Sequence, residues 1–233
     1  MPFPDLAARL RDVQQRVAEA VRRGGHGQAV RIVAVTKGHG ADAVEAAWEQ
    51  GLSDIGENRI QEALAKMDGV TAPVRWHLIG HLQRNKVKSL SRFSLLHSLD
   101  SVRLAERIDE FGRTPRDREE APQRFDALLQ VNVVGEASKG GFSLAEVPEA
   151  AERLRALGAV QVRGVMTMAP FGADEGTLRT VFSGARKAGE LLRAAGHDAS
   201  ELSMGMSDDF EVAVEEGATL IRLGTVLFGM RST

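Results

Sequence analysis

Short apolar segments alternate with longer amphipathic segments along almost the whole chain of 233 residues. The short segments are typical of buried strands, and the longer ones carry apolar residues at helical spacing. This alternation predicts a parallel sheet with helical crossovers. The predicted strands are Val30–Thr36, Leu52–Ile55, Val74–Ile79, Leu95–Ser98, Ala127–Val133, Val160–Met166, Glu201–Met204 and Thr219–Leu223. Helices are predicted between them, near 41–50, 57–67, 83–90, 101–111, 144–157, 174–195 and 208–217.

Eight strands of this kind favour a closed (β/α)8 barrel, an architecture that typically needs about 250 residues. An open doubly wound sheet is the competing arrangement, and the number of strands does not exclude it. The charged segment Arg113–Arg124 is interpreted as a solvated loop, because a linker there would leave neither half with enough strands for a closed sheet. We therefore predict one α/β domain over residues 1–233, with an extra amphipathic helix in residues 1–23.

Composition excludes several classes of function. The chain has no cysteine, and therefore no thiolate nucleophile, disulfide or cysteine-bound metal. It has no tyrosine that could act as an acid or a base, and its net charge of −2 argues against a broad nucleic-acid-binding face. The N-terminal segment lacks the apolar core of a signal peptide, and no segment approaches the ~18 apolar residues of a membrane span. We expect a soluble, cytoplasmic protein that binds neither nucleic acid nor membrane.

The end of the first predicted strand carries the first candidate functional residue. Side chains alternate along a strand, so Val33, Val35 and Lys37 share one face. If the two valines fill a barrel, Lys37 lies at the mouth where barrel proteins place their functional groups. Partial desolvation there would favour the neutral amine that Schiff-base formation needs. The plain alternative is a lysine that ends a strand in water.

The last two predicted strands are each followed by a candidate phosphate-binding loop. Barrels often bind phosphate with the loops after strands seven and eight. Ser207 offers a hydroxyl and a backbone N–H, and Gly224 and Thr225 offer two more N–H groups. An ordinary helix cap at Ser207 and an ordinary turn glycine at Gly224 are the alternatives.

Arg222 shares its strand face with Leu220, which predicts that its charge is buried inside the barrel. A buried arginine needs an acceptor, and either a carboxylate such as Glu57 or a cofactor ring nitrogen could supply it. An inward lysine, an inward arginine and a phosphate cup together suggest a pyridoxal phosphate site.

Other polar residues near the predicted strand ends have weaker interpretations. Asn58 is a candidate polar group of the pocket, and Lys139 is interpreted as a solvated loop lysine. His77 and His81 lack a third ligand at metal-binding spacing, so we predict no metal site.

Several segments of the chain resemble the pyridoxal phosphate homeostasis protein family, in the family's order and over nearly the whole length. They are VAVTK (33–37), IGENRIQEALAK (55–66), WHLIGHLQRNK (76–86), LLQVNVVGEASKGGF (128–142), RGVMTMAP (163–170) and LSMGMSDDFEVAVEEGATLIRLGTVLFG (202–229). The resemblance implies a single barrel like the cofactor domain of alanine racemases, which is pyridoxal phosphate fold type III. Two features depart from the family: Arg59 stands where members often have tyrosine, and the loop 113–124 matches no family motif.

The resemblance also implies roles for individual residues. Lys37 would hold pyridoxal 5'-phosphate as an internal aldimine. The phosphate would be held by Ser207, Gly224 and Thr225, the ring nitrogen by Arg222, and the pocket would be lined by Asn58 and Met168. Met168 matches the place of a ring-stacking residue in related racemases.

These expectations favour a carrier and regulator of vitamin B6 cofactor over an enzyme, and we predict no catalytic residue. A cation beside the ring nitrogen makes the ring a weaker electron sink, and racemisation needs acid–base groups on both ring faces. Reversible capture would buffer pyridoxal phosphate or deliver it to enzymes that depend on it, as the resemblance implies. Two alternatives stay open: a weak amino-acid racemase or other pyridoxal phosphate enzyme, and a cofactor-free Schiff-base aldolase. We expect a monomer, because the pocket needs no residue from a neighbour.

Overall fold

Eight parallel strands form one closed barrel, in the order in which they occur along the chain. The computed structural model describes residues 3–114, 123–136 and 139–230. The predicted closed barrel is confirmed, and the open-sheet alternative is wrong because the last strand pairs with the first. The strands are β1 Arg31–Val35, β2 Asp54–Glu57, β3 Arg75–Leu78, β4 Leu95–Leu99, β5 Phe125–Gln130, β6 Val160–Met166, β7 Glu201–Ser203 and β8 Leu220–Leu223.

Helices follow the strands and surround the barrel. They are α1 Leu6–Gly24, α2 Ala41–Glu49, α3 Ile60–Met67, α4 Val102–Arg113, α5 Val147–Arg155, α6 Glu175–Ala194, α7 Phe210–Glu215 and α8 Thr225–Phe228, with a 3₁₀ helix at Arg84–Arg92. Two helix starts are capped as the sequence favours: the Ser101 hydroxyl accepts from Leu104 N–H, and the Asp174 carboxylate accepts from Thr177 N–H.

The predicted N-terminal helix is confirmed as α1, which packs outside the barrel against α7. Ion pairs link the two helices, with Arg16 to Glu211 at 2.7 Å and Arg23 to Glu215 at 2.6 Å. Gly24 allows the close approach, because a Cβ there would lie 2.3 Å from the Glu215 carbonyl oxygen.

Some predicted element bounds differ from the structure. The second strand was predicted from Leu52, but Leu52 N–H instead bonds the Ala47 carbonyl at the end of α2 (3.0 Å), after Gly51 with φ +80°. Leu52 therefore closes a helix end, as an apolar residue after a left-handed glycine often does. The segment 83–90 is part of a 3₁₀ helix, and the short α8 was not predicted. Within the charged segment Arg113–Arg124, residues 115–122 lie outside the described residues.

The barrel interior is filled by an apolar layer and a polar layer. The apolar layer is a separate buried cluster of Val33, Leu95, Leu128, Met166 and Leu220. The buried polar side chains include Asp54, His77, His97, Ser203 and Arg222. The inward direction predicted for Val33 and Leu220 agrees with this cluster. Within the described ranges, no helix is long and apolar enough to cross a bilayer.

Gly164 in β6 lies where the barrel wall has no room for a side chain. Its φ is +154°, and a Cβ there would lie 1.8 Å from the Glu201 carbonyl oxygen of β7. A side chain therefore cannot be added without separating two paired strands.

We expect Gly164→Ala to lower the free energy of unfolding by about 2–4 kcal/mol. Urea unfolding followed by circular dichroism measures the loss. The control is Gly158→Ala, whose added Cβ would meet its nearest atom at 3.5 Å, an ordinary contact. Equal stabilities of the two variants would contradict the packing requirement.

Candidate functional site

A cavity of about 790 Å³ opens at the mouth of the barrel, where the strands end. Its size is within the range of sites that hold small molecules. The structure brings all of the sequence-predicted site residues to its wall. These residues are Lys37, Asn58, Met168, Ser207, Arg222, Gly224 and Thr225. Their contacts with a ligand stay predictions.

Lys37 lies two residues beyond the end of β1 and its side chain is exposed at the cavity. The partial desolvation expected from the sequence is therefore wrong for this structure. The Lys37 amine has no hydrogen bond or ion pair to any described residue. It is consequently available to a molecule in the cavity.

The backbone on both sides of Lys37 is held by a polar cluster that we call the Lys66 clamp: Thr36, Gly38, Glu57, Glu62 and Lys66. The buried Lys66 ammonium donates to the Thr36 carbonyl at 2.7 Å and to Glu57 Oε1 at 2.5 Å. It also donates to Glu62 Oε1 at 3.0 Å, and the same oxygen accepts from Gly38 N–H at 2.6 Å. The clamp therefore fixes the residue before Lys37 and the residue after it.

Glu57 belongs to this clamp and is not the partner of Arg222. Its side chain is fully buried, and Oε1 accepts from the Thr36 hydroxyl at 2.5 Å. Burial raises the pKa of Glu57, and the hydrogen bonds from Lys66 and Thr36 oppose that rise. The second oxygen, Oε2, is buried without a hydrogen-bond partner among the described residues. Of the two partners that the sequence offers Arg222, the Glu57 carboxylate is therefore wrong.

Arg222 reaches the cavity from inside the barrel. One terminal nitrogen donates to the Ser203 hydroxyl at 2.6 Å and the other to the Thr167 carbonyl at 2.9 Å. Both acceptors are neutral, so the charge has no hydrogen-bonded carboxylate among the described residues. Burial lowers the pKa of Arg222 to about 10, which still leaves it charged at neutral pH. The site thus has a fixed positive charge on its floor.

The loops after β7 and β8 meet and form an anion cup. The Ser207 hydroxyl accepts from Val226 N–H at 3.3 Å, which joins the two loops. The backbone N–H groups of Ser207, Asp208, Gly224 and Thr225 have no acceptor among the described residues. Unpaired N–H groups that converge at loop and helix starts are donors for an anion such as phosphate.

Asn58 and Met168 line other parts of the wall. Asn58 is exposed. Its backbone carbonyl oxygen would lie 2.1 Å from a Cβ on Gly80, so the loops after β2 and β3 can approach this closely only with a glycine at position 80. Met168 is partly buried against the apolar layer of the barrel. Its thioether can cover the face of a flat ring.

Lys139 is a pocket residue that its place in the sequence does not indicate. It was interpreted as a solvated lysine, but only 22% of its side chain is exposed. Its ammonium pairs with Glu136 at 2.8 Å and donates to the Ala169 carbonyl at 2.9 Å, across the mouth at the end of β6. Lys139 thus contacts the segment after β6, which lies 30 residues further along the chain, too far for a local sequence pattern to indicate.

His77 in β3 and His81 just after that strand have separate surroundings. His77 is buried inside the barrel, whereas His81 lies on the cavity wall and bonds Asp100 Oδ2 at 3.1 Å. They therefore do not share a ligand.

Comparison with known proteins gives the same architecture. The chain matches the family "Alanine racemase, N-terminal domain" over residues 8–232. It is 38% identical over 229 residues to the pyridoxal phosphate homeostasis protein of Pseudomonas aeruginosa, covering 97% of this chain and 96% of that protein. The Bos taurus protein of the same name is 37% identical over 240 residues, covering 95% of this chain and 86% of that protein.

Two solved structures are similar to the barrel. PipY of Synechococcus elongatus PCC7942 with PLP bound has a TM-score of 0.82 and 36% identity, covering 96% of this chain and 100% of that one. Alanine racemase from Corynebacterium glutamicum has a TM-score of 0.70 at 17% identity, covering 93% of this chain and 61% of that one. The second likeness is one of fold.

The Lys66 clamp predicts a specific stability pattern. Lys66→Met leaves the buried Glu57 carboxylate without its cation, so we expect the free energy of unfolding to fall by about 3 kcal/mol. Adding Glu57→Gln removes the unpaired charge and should recover part of that loss. Urea unfolding at neutral pH measures both variants. A double variant that is less stable than Lys66→Met alone would contradict the ion pair's role.

Proposed function

The chain belongs to the pyridoxal phosphate homeostasis protein family. On that premise we propose that its cavity binds pyridoxal 5'-phosphate reversibly and stores it for release. The observation that carries the proposal is the meeting of three groups in one cavity. They are the free Lys37 amine, the anion cup and the Arg222 charge. The protein binds the cofactor and takes part in its homeostasis.

The donor set fits the chemical groups of this cofactor one by one. A phosphate dianion suits the four unpaired N–H groups of the cup and the Ser207 hydroxyl. A pyridine nitrogen suits Arg222, which has only neutral acceptors of its own and further N–H donors to offer. A flat ring suits the apolar wall provided by Met168 and Val35.

Bound pyridoxal phosphate supplies an aldehyde that a neutral amine captures covalently and releases again by hydrolysis or exchange. Lys37 is the amine that this structure leaves free for it. The Lys66 clamp holds the backbone around Lys37, so the amine starts from a fixed position at the end of β1. The anion cup lies after β7 and β8, and β8 pairs directly with β1. The cup would therefore hold a phosphate next to the strand that carries the lysine.

We infer that the protein acts as a carrier more than as a catalyst. A permanent cation at the ring nitrogen disfavours protonation of that nitrogen, which limits how well the ring accepts electrons. The absence of tyrosine removes the phenol that alanine racemases use as one of their two acid–base groups.

We infer that residues 1–233 act as one domain, because all eight strands belong to the same barrel. The cavity is complete within one chain, which supports a monomer. The recipients would be enzymes that need pyridoxal phosphate, in the cytoplasm.

The first test locates the covalent link. After loading with pyridoxal phosphate, borohydride reduction and peptide mass analysis should place the label on Lys37, because its amine is free in the cavity. Lys37→Ala should lose the visible absorbance of the loaded protein. Lys88→Ala, which changes an exposed lysine outside the cavity, is the control. A label on Lys139, the other lysine of the cavity, would contradict the assignment.

The second test addresses the anion cup. Ser207→Ala removes a hydroxyl donor, so we expect the Kd for pyridoxal phosphate to rise about tenfold or more. Pyridoxal without its phosphate is the matched ligand, and its Kd should change much less. Equal losses for the two ligands would show that Ser207 acts on something other than the phosphate.

A further inference from the structure

A continuous row of hydrogen bonds runs through the barrel interior from Arg222 to Asp54. Arg222 donates to Ser203 Oγ at 2.6 Å, and Ser203 Oγ lies 2.8 Å from His97 Nδ1. His97 Nε2 lies 2.9 Å from His77 Nδ1, and His77 Nε2 lies 2.8 Å from Asp54 Oδ1. We call these five residues the barrel wire. Each is buried, with at most 5% of its surface exposed.

The chemistry of the two ends gives the barrel wire a direction. Arginine can only donate, and an ionised carboxylate can only accept. Burial alone would raise the pKa of Asp54, but hydrogen bonds from His77 and Arg75 outweigh it and hold the pKa well below its ordinary value. Asp54 therefore stays ionised. Burial lowers the pKa of His97 well below its ordinary value, so His97 is neutral.

With both ends fixed, one arrangement satisfies every group in between. The Ser203 hydroxyl accepts from Arg222 and donates to His97 Nδ1. His97 then carries its proton on Nε2 and donates to His77 Nδ1. His77 in turn carries its proton on Nε2 and donates to Asp54.

The opposite arrangement leaves a hydroxyl unsatisfied. If His97 carried its proton on Nδ1, Ser203 would accept from both Arg222 and His97. Its own hydroxyl proton would then have no acceptor among the described residues, because Ser203 Oγ has no third partner. His77 would also need two protons to satisfy His97 and Asp54 together. A buried donor without an acceptor is costly.

We propose that Asp54, His77, His97 and Ser203 are positioning residues that hold the Arg222 guanidinium in one orientation on the cavity floor. Because the Ser203 hydroxyl directs its proton to His97, it presents a lone pair to one terminal nitrogen of Arg222. The Thr167 carbonyl accepts from the other terminal nitrogen. The guanidinium is thereby held in one orientation, with its remaining donors available to the cavity. In the proposed function, on which this step rests, those donors hold the ring nitrogen of pyridoxal phosphate without a proton.

The far end of the barrel wire lies at the opposite end of the barrel. There Arg75 bonds both oxygens of Asp54 at 2.7 Å, and 51% of the Arg75 side chain is exposed. The orientation of Arg222 is thus anchored to the solvent face farthest from the cavity mouth. Asp54 and Arg75, which do not line the cavity, would therefore influence how Arg222 is oriented in it.

The first measurement uses the unaltered protein without ligand. Long-range ¹⁵N–¹H NMR at neutral pH should show His77 and His97 both neutral with the proton on Nε2. The Ser203→Ala variant assigns His97, whose Nδ1 signal should move most. A proton on Nδ1 of either ring, or a doubly protonated His77, would overturn the proposal. This result does not depend on whether the protein binds pyridoxal phosphate.

The second measurement loads the protein with pyridoxal phosphate. Ser203→Ala should shift the visible absorbance and speed cofactor dissociation about threefold to tenfold. Ser203→Thr, which keeps the hydroxyl, should restore both. Thr219→Val is the control, because it removes a hydroxyl that bonds Leu202 N–H and Glu201 outside the barrel wire.

The outcomes separate the two proposals. If the unaltered protein takes up no pyridoxal phosphate, the proposed function fails and the NMR result still decides the direction of the barrel wire. If it takes up the cofactor and Ser203→Ala behaves like Thr219→Val, the positioning role fails while the proposed function stands.

Discussion

A positive charge buried inside a closed barrel is the constraint from which the rest of this site follows. Desolvating an arginine is costly unless its donors are satisfied, and here the protein supplies a hydroxyl and a carbonyl in place of a carboxylate. The charge is therefore solvated by dipoles, and the nearby Asp209 carboxylate acts on it through space, without a hydrogen bond. A carboxylate at hydrogen-bond distance would have accepted the Arg222 hydrogen bonds and neutralised its charge. Glu57 does not take that place, because it is engaged by Lys66.

Strand pairing brings the Lys37 side of the cavity next to the anion cup. Lys37 follows β1, the anion cup follows β7 and β8, and β1 pairs with β8 in the closing seam of the barrel. The seam places a free amine beside a set of unpaired N–H groups without a long loop. Tight positioning of that kind needs rigid ends, which the Lys66 clamp supplies at β1 and the Ser207–Val226 hydrogen bond supplies at the cup.

The sequence was most informative where strand geometry alone decides the outcome. Alternation placed Val33, Leu220 and Arg222 on inward faces, and position at strand ends placed Lys37 and Ser207 at one mouth. It failed where partners come from distant elements. Glu57 is one of the two partners that the sequence offers Arg222, because an acidic residue at a strand end looks the same whichever side it faces. Glu62 and Lys66 have the i,i+4 spacing of a helical ion pair, a signal that could have identified part of the clamp.

The polar layer inside the barrel bears on what the site can do chemically. A row of hydrogen bonds with a donor-only end and an acceptor-only end leaves no spare proton on the cavity side. In the proposed arrangement every proton of the barrel wire is already in a hydrogen bond, so none could pass up to the cavity without leaving a buried atom unsatisfied. A bound ring would therefore keep its nitrogen unprotonated and gain little capacity to stabilise a carbanion. Capture at Lys37 needs no such capacity, because amine exchange at an aldehyde proceeds without electron withdrawal into the ring. The interior of this barrel is thus compatible with reversible storage.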